Sequence, residues 1–186
     1  YRDADGNPLA VSTEGAAAPA GYEQAGKVVA NTSSQEDGYF TAAGFELVEG
    51  VPIGPGDEGA ALIHEDFAAR NGLTVGDTLL LEGVDGPGAT AEATVVGVFA
   101  TPQEQADASV APSCDLYENI VFTDVATASQ LLYGADVPIG AEYGDFYVDD
   151  PAELDRIVGE VRNIGGVDWD ACTISLHDAD YQHVRA

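Results

Sequence analysis

Apolar and polar positions alternate in short runs along most of the chain, and each run is broken by turn residues within about ten positions. "KVVANTS" reads as a strand, "GYFTAAGFELVEG" ends in a short apolar segment around Phe45 and Leu47, and "AALIH" is a buried strand behind the turn "GPGDEG". The segment Glu65 to Asn71 then has the makings of a two-turn helix. Acidic residues stand at its start, where the helix dipole favours them, and Gly72 is placed to end it in the left-handed conformation. Phe67, Ala68 and Leu73 would face inward, with His64 at the strand-to-helix junction. "VGDTLLLEG" and "ATAEATVVGVFA" follow as two strands, joined through the turn-rich "VDGPGA" as a hairpin.

Beyond a polar, proline-bearing stretch from Thr101 to Asp115, "ENIVFTDVATASQLLYG" reads as strand, cap, short helix and glycine stop. Asp124 is the N-cap, and Val125, Ala128, Leu131 and Leu132 fall on one helical face. Near the end, a strand through Phe146 to Val148 runs into Asp150-Pro151-Ala152-Glu153, a strong helix start with a cap, a proline at the first position and a glutamate at the third. Leu154, Ile157, Val158, Val161 and Ile164 recur at intervals of three and four, Gly165-Gly166 stop the helix, and "ACTISL" resumes as a strand. These elements predict a β-α-β unit of the split, ferredoxin-like kind. The first 26 residues are dominated by small, proline and acidic residues, with "DADGNP" as a hairpin tip. The fold class expected is α+β, rich in strands.

At 186 residues with 45% hydrophobic content, the chain can bury roughly 70% of its unfolded surface. Its 33 Asp and Glu against 6 Lys and Arg give a formal net charge of -27. Nucleic acid is thereby excluded as a partner class, because phosphate binding needs clustered cations, and an anionic membrane surface would repel the chain. The balance fits a solubilising acidic surface on a protein facing the outside, or a cation-binding face. No apolar run approaches the roughly 20 residues of a membrane-spanning helix, and no signal-peptide pattern is present. The absence of any methionine and the turn-like beginning are read as an excised piece of a longer protein.

Candidate chemistry is sparse. His64-Glu65-Asp66 puts a histidine beside two carboxylates, but no serine elbow accompanies it, and adjacent helical positions point apart, so helix entry is the expected role. Asp3, Asp5, Asn7 and Glu14 fall at positions 1, 3, 5 and 12 of a calcium loop, yet Pro8 occupies the position that needs glycine and no helices flank it. His177, Asp178, Asp180 and His183 offer ligands in the terminal segment with no known motif spacing. Phosphate-binding and dinucleotide fingerprints are missing, so no cofactor is expected. Cys114 and Cys172 form no metal-type pair. A disulfide between them is expected, stabilising by about 4 kcal/mol in the chain-entropy model, with two buried thiols as the other use.

The order "YFTAAGFELVEGVPI", "AALIHEDFAARNGLTVGDTLLL", "ATVVGVF", "NIVFTDVATASQLL" and the final β-α-β unit resembles the extracytoplasmic core domain of MacB-like (FtsX-type) permeases of ABC transporters, from about Val28 to Tyr181. The resemblance implies two lobes. A porter-like lobe of β-α-β elements would comprise residues 1–44 and 100–186, and a β-rich lobe, residues 45–99, would be inserted into it. It also implies a position between the first two membrane helices of a permease, a cytoplasmic ATPase subunit as partner, two permease subunits working together, and no catalytic residues. The external partner would be a peptide, lipoprotein or other amphiphile, or a cell-wall hydrolase. Two features depart from the family pattern: Val51 stands where Gly-Arg is common after "LVEG", and the usual opening strand and helix are missing before Tyr1, so the porter-like lobe is expected to be incomplete. A surface adhesin domain without a transport role, and a metal-dependent enzyme, are the other readings the residues leave open.

Overall fold

A computed structural model describes residues 1–84, 89–101, 105, 107–135, 137–140, 144 and 148–174. The chain divides into two compact units, Tyr1–Glu142 and Tyr143–Ala186.

The first unit is built on one mixed sheet. Its strands are β1 (Arg2–Asp3), β2 (Val28–Ala30), β3 (Glu46–Gly50), β4 (Ala60–His64), β5 (Thr78–Glu82), β6 (Thr90–Ala100) and β7 (Val121–Thr123). Their order is β1-β5-β6-β4-β7-β2, and β3 pairs with the far end of β6 beyond the reach of β5. β5 and β6 form the expected antiparallel hairpin, in register from Thr78↔Thr94 to Glu82↔Thr90. The middle of its connecting turn, 85–88, lies outside the described residues. β4 runs parallel to β6 and antiparallel to β7, while β2 runs parallel to β7. Strands from residues 46–100 thus share one sheet with β2 and β7.

Central placement explains the unbroken apolar reading of "AALIH": all five residues of β4 are buried, and successive ones face opposite cores. Ala61 and Ile63 join Phe67 and Ala68 of α2 (Glu65–Asn71), with Leu79, Leu81 and Val95, in one core. Ala60 and Leu62 join Phe45, Phe99 and Phe122 in the other, against which Tyr39, Phe40 and Tyr117 pack. The second core is dominated by aromatic rings. Phe45 stacks on Phe99 with centroids 5.3 Å apart, and Phe122 meets Phe99 edge to face at 5.2 Å, arrangements that add to the area buried. Short α1 (Gly38–Thr41), capped by Asp37, supplies Tyr39 and Phe40 to this side.

The pairing of β6 shifts register where Ala61 meets Val95 and Leu62 meets Gly97, leaving Val96 as an extra residue. This bulge brings Gly97 opposite Gly50 of β3, whose φ is +81°. A Cβ on Gly50 would fall on the Val96 carbonyl, and one on Gly97 would lie 2.8 Å from the Val51 carbonyl oxygen. Two glycines are therefore what lets the strands approach here.

Helix α3 (Val125–Tyr133) begins at Asp124 and ends at Gly134 in the left-handed conformation, as its cap residues predict. Its inward face differs from the apolar stripe read from sequence. Thr127, Ala128 and Ser129 are buried, Leu131 is only partly covered, and Leu132 is 54% exposed. Polar contacts turn the helix: Thr127 bonds Asp124, and Ser129 Oγ lies 2.8 Å from the Ala135 carbonyl and 2.7 Å from that of Val137 while accepting from the Val137 N–H.

In the second unit, Asp150 accepts from the Ala152 N–H at the head of a 3-10 turn, Pro151–Glu153, which leads into α4 (Leu154–Val161). Glu153 pairs with Arg156 rather than closing a capping box. Of the flanking strands expected for a β-α-β unit, Val148 and residues 171–174 carry no strand, and 145–147 and 175–186 lie outside the described residues. The fold is α+β. Among the described residues no helix is long and apolar enough to cross a membrane.

Candidate functional site

His64 is a helix cap. Its Nδ1 accepts a hydrogen bond from the Asp66 N–H at 3.1 Å, so the ring proton resides on Nε2, which faces Thr101 Oγ1 at 3.1 Å. In that tautomer Nε2 donates to Thr101 and has no lone pair to take its proton, which is the opposite of a base activating a nucleophile. Asp66 Oδ2 stands 3.7 Å from Nδ1, beyond hydrogen-bond reach. The ring is buried edge to face against Phe99, and burial holds its pKa below the ordinary value, against the pull of Asp66, Glu65 and Glu118. It is a neutral cap at neutral pH.

The other sequence candidates are dispersed. Asp3 Oδ1 accepts from the N–H groups of Asp5 and Asn7, and Asp3 Oδ2 from the Asn7 side chain, so these residues close a turn on one another. The bond from the Asn7 side chain is the main reason the Asp3 carboxyl is held below its usual pKa. Cys114 is a half-buried thiol in the 3-10 turn Ser113–Asp115, its pKa pushed up by burial and by Asp115. Cys172 is an exposed thiol in the second unit. His177, Asp178, Asp180 and His183 lie outside the described residues. Among the described residues no three His, Cys, Asp or Glu come together to hold a metal ion.

A further concavity is lined mainly by residues the sequence did not single out, apart from Asp124 and Val125 of the α3 cap. A cleft of about 450 Å³ opens between the turn Gly54–Glu58, the segment after β2, the first turn of α3 and Val137-Pro138. A smaller hollow of about 140 Å³ shares Glu58 and Ala126 with it and reaches Glu92 and Gln130. Local chemistry shapes the walls. Asp57 Oδ2 accepts from the Gly54 N–H and closes the turn. Asp124 accepts three hydrogen bonds, from the Ala60 N–H at 2.8 Å, the Thr127 hydroxyl at 2.6 Å and the Thr127 N–H at 2.8 Å.

Asn31, on the cleft wall, donates from Nδ2 to Asp37, while its Oδ1 is buried without a partner among the described residues. Neither lining contains Lys, Arg or His. The residues of the larger cleft come from four separate segments, and apart from the cap Asp124 its polar residues look like ordinary surface positions, so no local pattern could have found the cleft.

The family described as the MacB-like periplasmic core domain matches residues 4–164. An uncharacterised ABC transporter permease of Bacillus subtilis (strain 168), YclI, is 26% identical over 147 residues, covering 78% of this chain. The match spans 30% of that relative's length.

Proposed function

The chain belongs to the MacB-like periplasmic core domain family and is an extracytoplasmic domain of an ABC transporter permease, and on that premise we propose that it is a non-catalytic coupling module. In this reading it transmits movement of the permease's membrane helices to an external substrate or partner protein. The observation that carries it is the family match across residues 4–164. The geometry supports it: His64, beside Glu65 and Asp66, is a buried cap, and the aromatic core and mixed sheet make the first unit a stiff body suited to passing on a displacement.

The same reading includes a cytoplasmic ATPase subunit acting through the membrane helices and a pair of permease subunits. Its external partner is a peptide, lipoprotein or other amphiphile, or a cell-wall hydrolase. It also includes the two-lobed division, residues 1–44 and 100–186 around 45–99, which has to accommodate a sheet that takes strands from both sets. The family match does not favour an adhesin.

The test is to replace this domain by a short linker in the full permease. Transport or partner activation is expected to disappear while the complex with its ATPase still assembles and hydrolyses ATP. Undiminished transport would overturn the proposal.

A further inference from the structure

We propose that α2 and the 3-10 turn Tyr117–Asn119 form a binding site for an extended peptide with apolar residues two positions apart, a site filled in this structure by the chain's own residues 9–12. The site belongs to the chain itself and does not rest on the transport reading. Residues 10–15 make no backbone-to-backbone hydrogen bond among the described residues. Ala10 and Ser12 are held by side chains instead. Asn71 Oδ1 accepts from the Ala10 N–H at 2.8 Å, and Asn71 Nδ2 donates to the Ala10 carbonyl at 3.0 Å. Asn119 makes the same pair of bonds two residues on, with the N–H and carbonyl of Ser12 at 2.8 and 2.9 Å. An amide that offers one acceptor and one donor reads main chain alone, and two of them at alternate residues fix an extended stretch in register. Side chains enter only through Leu9 and Val11, which are buried with Phe67 and Ala68.

Both amides are aimed by the body of the protein. Asn71 Nδ2 also donates to the Phe67 carbonyl at 2.9 Å, and Asn119 Nδ2 to the Ser113 carbonyl at 2.7 Å. These bonds persist when residues 9–12 leave, and a receptor ordered in advance loses little freedom on binding. Departure is also cheap for the rest of the fold. Residues 9–12 belong to no strand, so the pairings of the sheet survive it, and the connection that follows runs through exposed Pro19, Ala20 and Gly21. The chain's own stretch is therefore a tethered occupant, competing with an outside peptide at roughly millimolar effective concentration.

The experiment titrates the isotopically labelled 186-residue chain carrying Leu9→Ser/Val11→Ser, which frees the site, with the peptide PLAVSTE, the sequence of residues 8–14. Saturable binding is expected, with amide shifts centred on Asn71 and Asn119. The wild-type chain is expected to bind at least about tenfold more weakly, because its tethered stretch competes. Adding Asn71→Ala to the double variant should weaken binding about tenfold, as loss of a pair of hydrogen bonds implies. A peptide with serine at both apolar positions should not bind. If the double variant loses its native amide spectrum, Val11→Ala takes its place and is expected to bind PLAVSTE more tightly than the wild-type chain. No saturable binding to a folded variant, equal binding of the serine peptide, or unchanged affinity on Asn71→Ala would each overturn the proposal.

Discussion

Asn119 and Ser12, 107 positions apart, are joined by a reciprocal pair of hydrogen bonds: the Ser12 N–H donates to Asn119 Oδ1 at 2.8 Å, and Asn119 Nδ2 donates to the Ser12 carbonyl at 2.9 Å. Nδ2 also reaches the Ser113 carbonyl at 2.7 Å. Asn119 is fully buried, so one side chain completes the backbone bonding of an irregular segment that has no strand to pair with. Leu9 and Val11 are thereby held in the core against α2.

Replacement by alanine leaves the buried Ser12 N–H and carbonyl without their side-chain partner and the Ser113 carbonyl with the Leu116 N–H alone. Asn119→Ala is expected to cost about 3 kcal/mol, read from urea unfolding, and Asn119→Asp a similar amount because a carboxylate would face two carbonyl oxygens. A loss below about 1 kcal/mol in both would show that the pair contributes little.

The buried His64 predicts an acid-side loss of stability. Its folded-state pKa is lowered, chiefly by burial, so the unfolded chain binds the proton more readily. Its contribution is complete above the unfolded value of 6.5 and declines as pH falls from there towards the folded pKa, with a slope of at most about 1.4 kcal/mol per pH unit. Protonation of carboxylates changes the charge repulsion over part of the same range. The comparison is therefore with His64→Asn, which keeps a capping acceptor but cannot ionise. The difference in unfolding free energy between the two proteins is expected to narrow from pH 7 to pH 5.5, and a constant difference would contradict the account.

A net charge of -27 makes the compact state self-repelling, and the described ion pairs relieve little of it: Arg2–Glu82, Arg70–Glu118, and Arg156 with Glu153 and Glu160. Salt shortens the Debye length from about 30 Å at 0.01 M to about 3 Å at 1 M. Thermal unfolding is therefore expected to move up by roughly 5 °C or more over that range, corresponding to about 2 kcal/mol. A Tm independent of sodium chloride would show that the acidic groups are too widely spaced to interact.

At the bulge of β6, Gly97→Ala should destabilise by about 1–3 kcal/mol, because the new methyl lies 2.9 Å from Leu47 Cδ1 and close to two carbonyl oxygens of the β3 segment. Differential scanning calorimetry would register the loss. Gly38→Ala, where added bulk meets nothing within 4 Å, is the control expected to have little effect.

For the cysteines, we propose the Cys114–Cys172 disulfide for the mature extracytoplasmic protein, where an oxidising setting favours it. Thiol titration under denaturing conditions is expected to find none free, and two reactive thiols would remove the proposal.

Sequence reading worked where structure is decided locally. His64 and Gly72 around α2, and Asp124 and Gly134 around α3, are caps and stops whose chemistry acts within one turn, and the β5–β6 hairpin follows from alternation on either side of a turn. What it misplaced depends on distant partners. The inward face of α3 is set by Asp124 and by the chain returning over Ser129, not by its leucines. The Asn119–Ser12 pair and the placement of β3 beyond β5 have no local signature. The cleft was invisible for the same reason, since the segments carrying Asn31, Glu58 and Ala126 meet only after the sheet has formed.

The most direct test of the coupling claim is a distance measurement across the full permease with its ATPase. A spin label is placed at exposed Val110 as Val110→Cys, in a Cys114→Ser/Cys172→Ser background, and pulsed dipolar spectra are recorded without nucleotide and with ATP trapped. The account predicts a label-to-label distance between paired subunits that shifts on ATP binding. Superimposable distance distributions, or no pair distance at all, would contradict it.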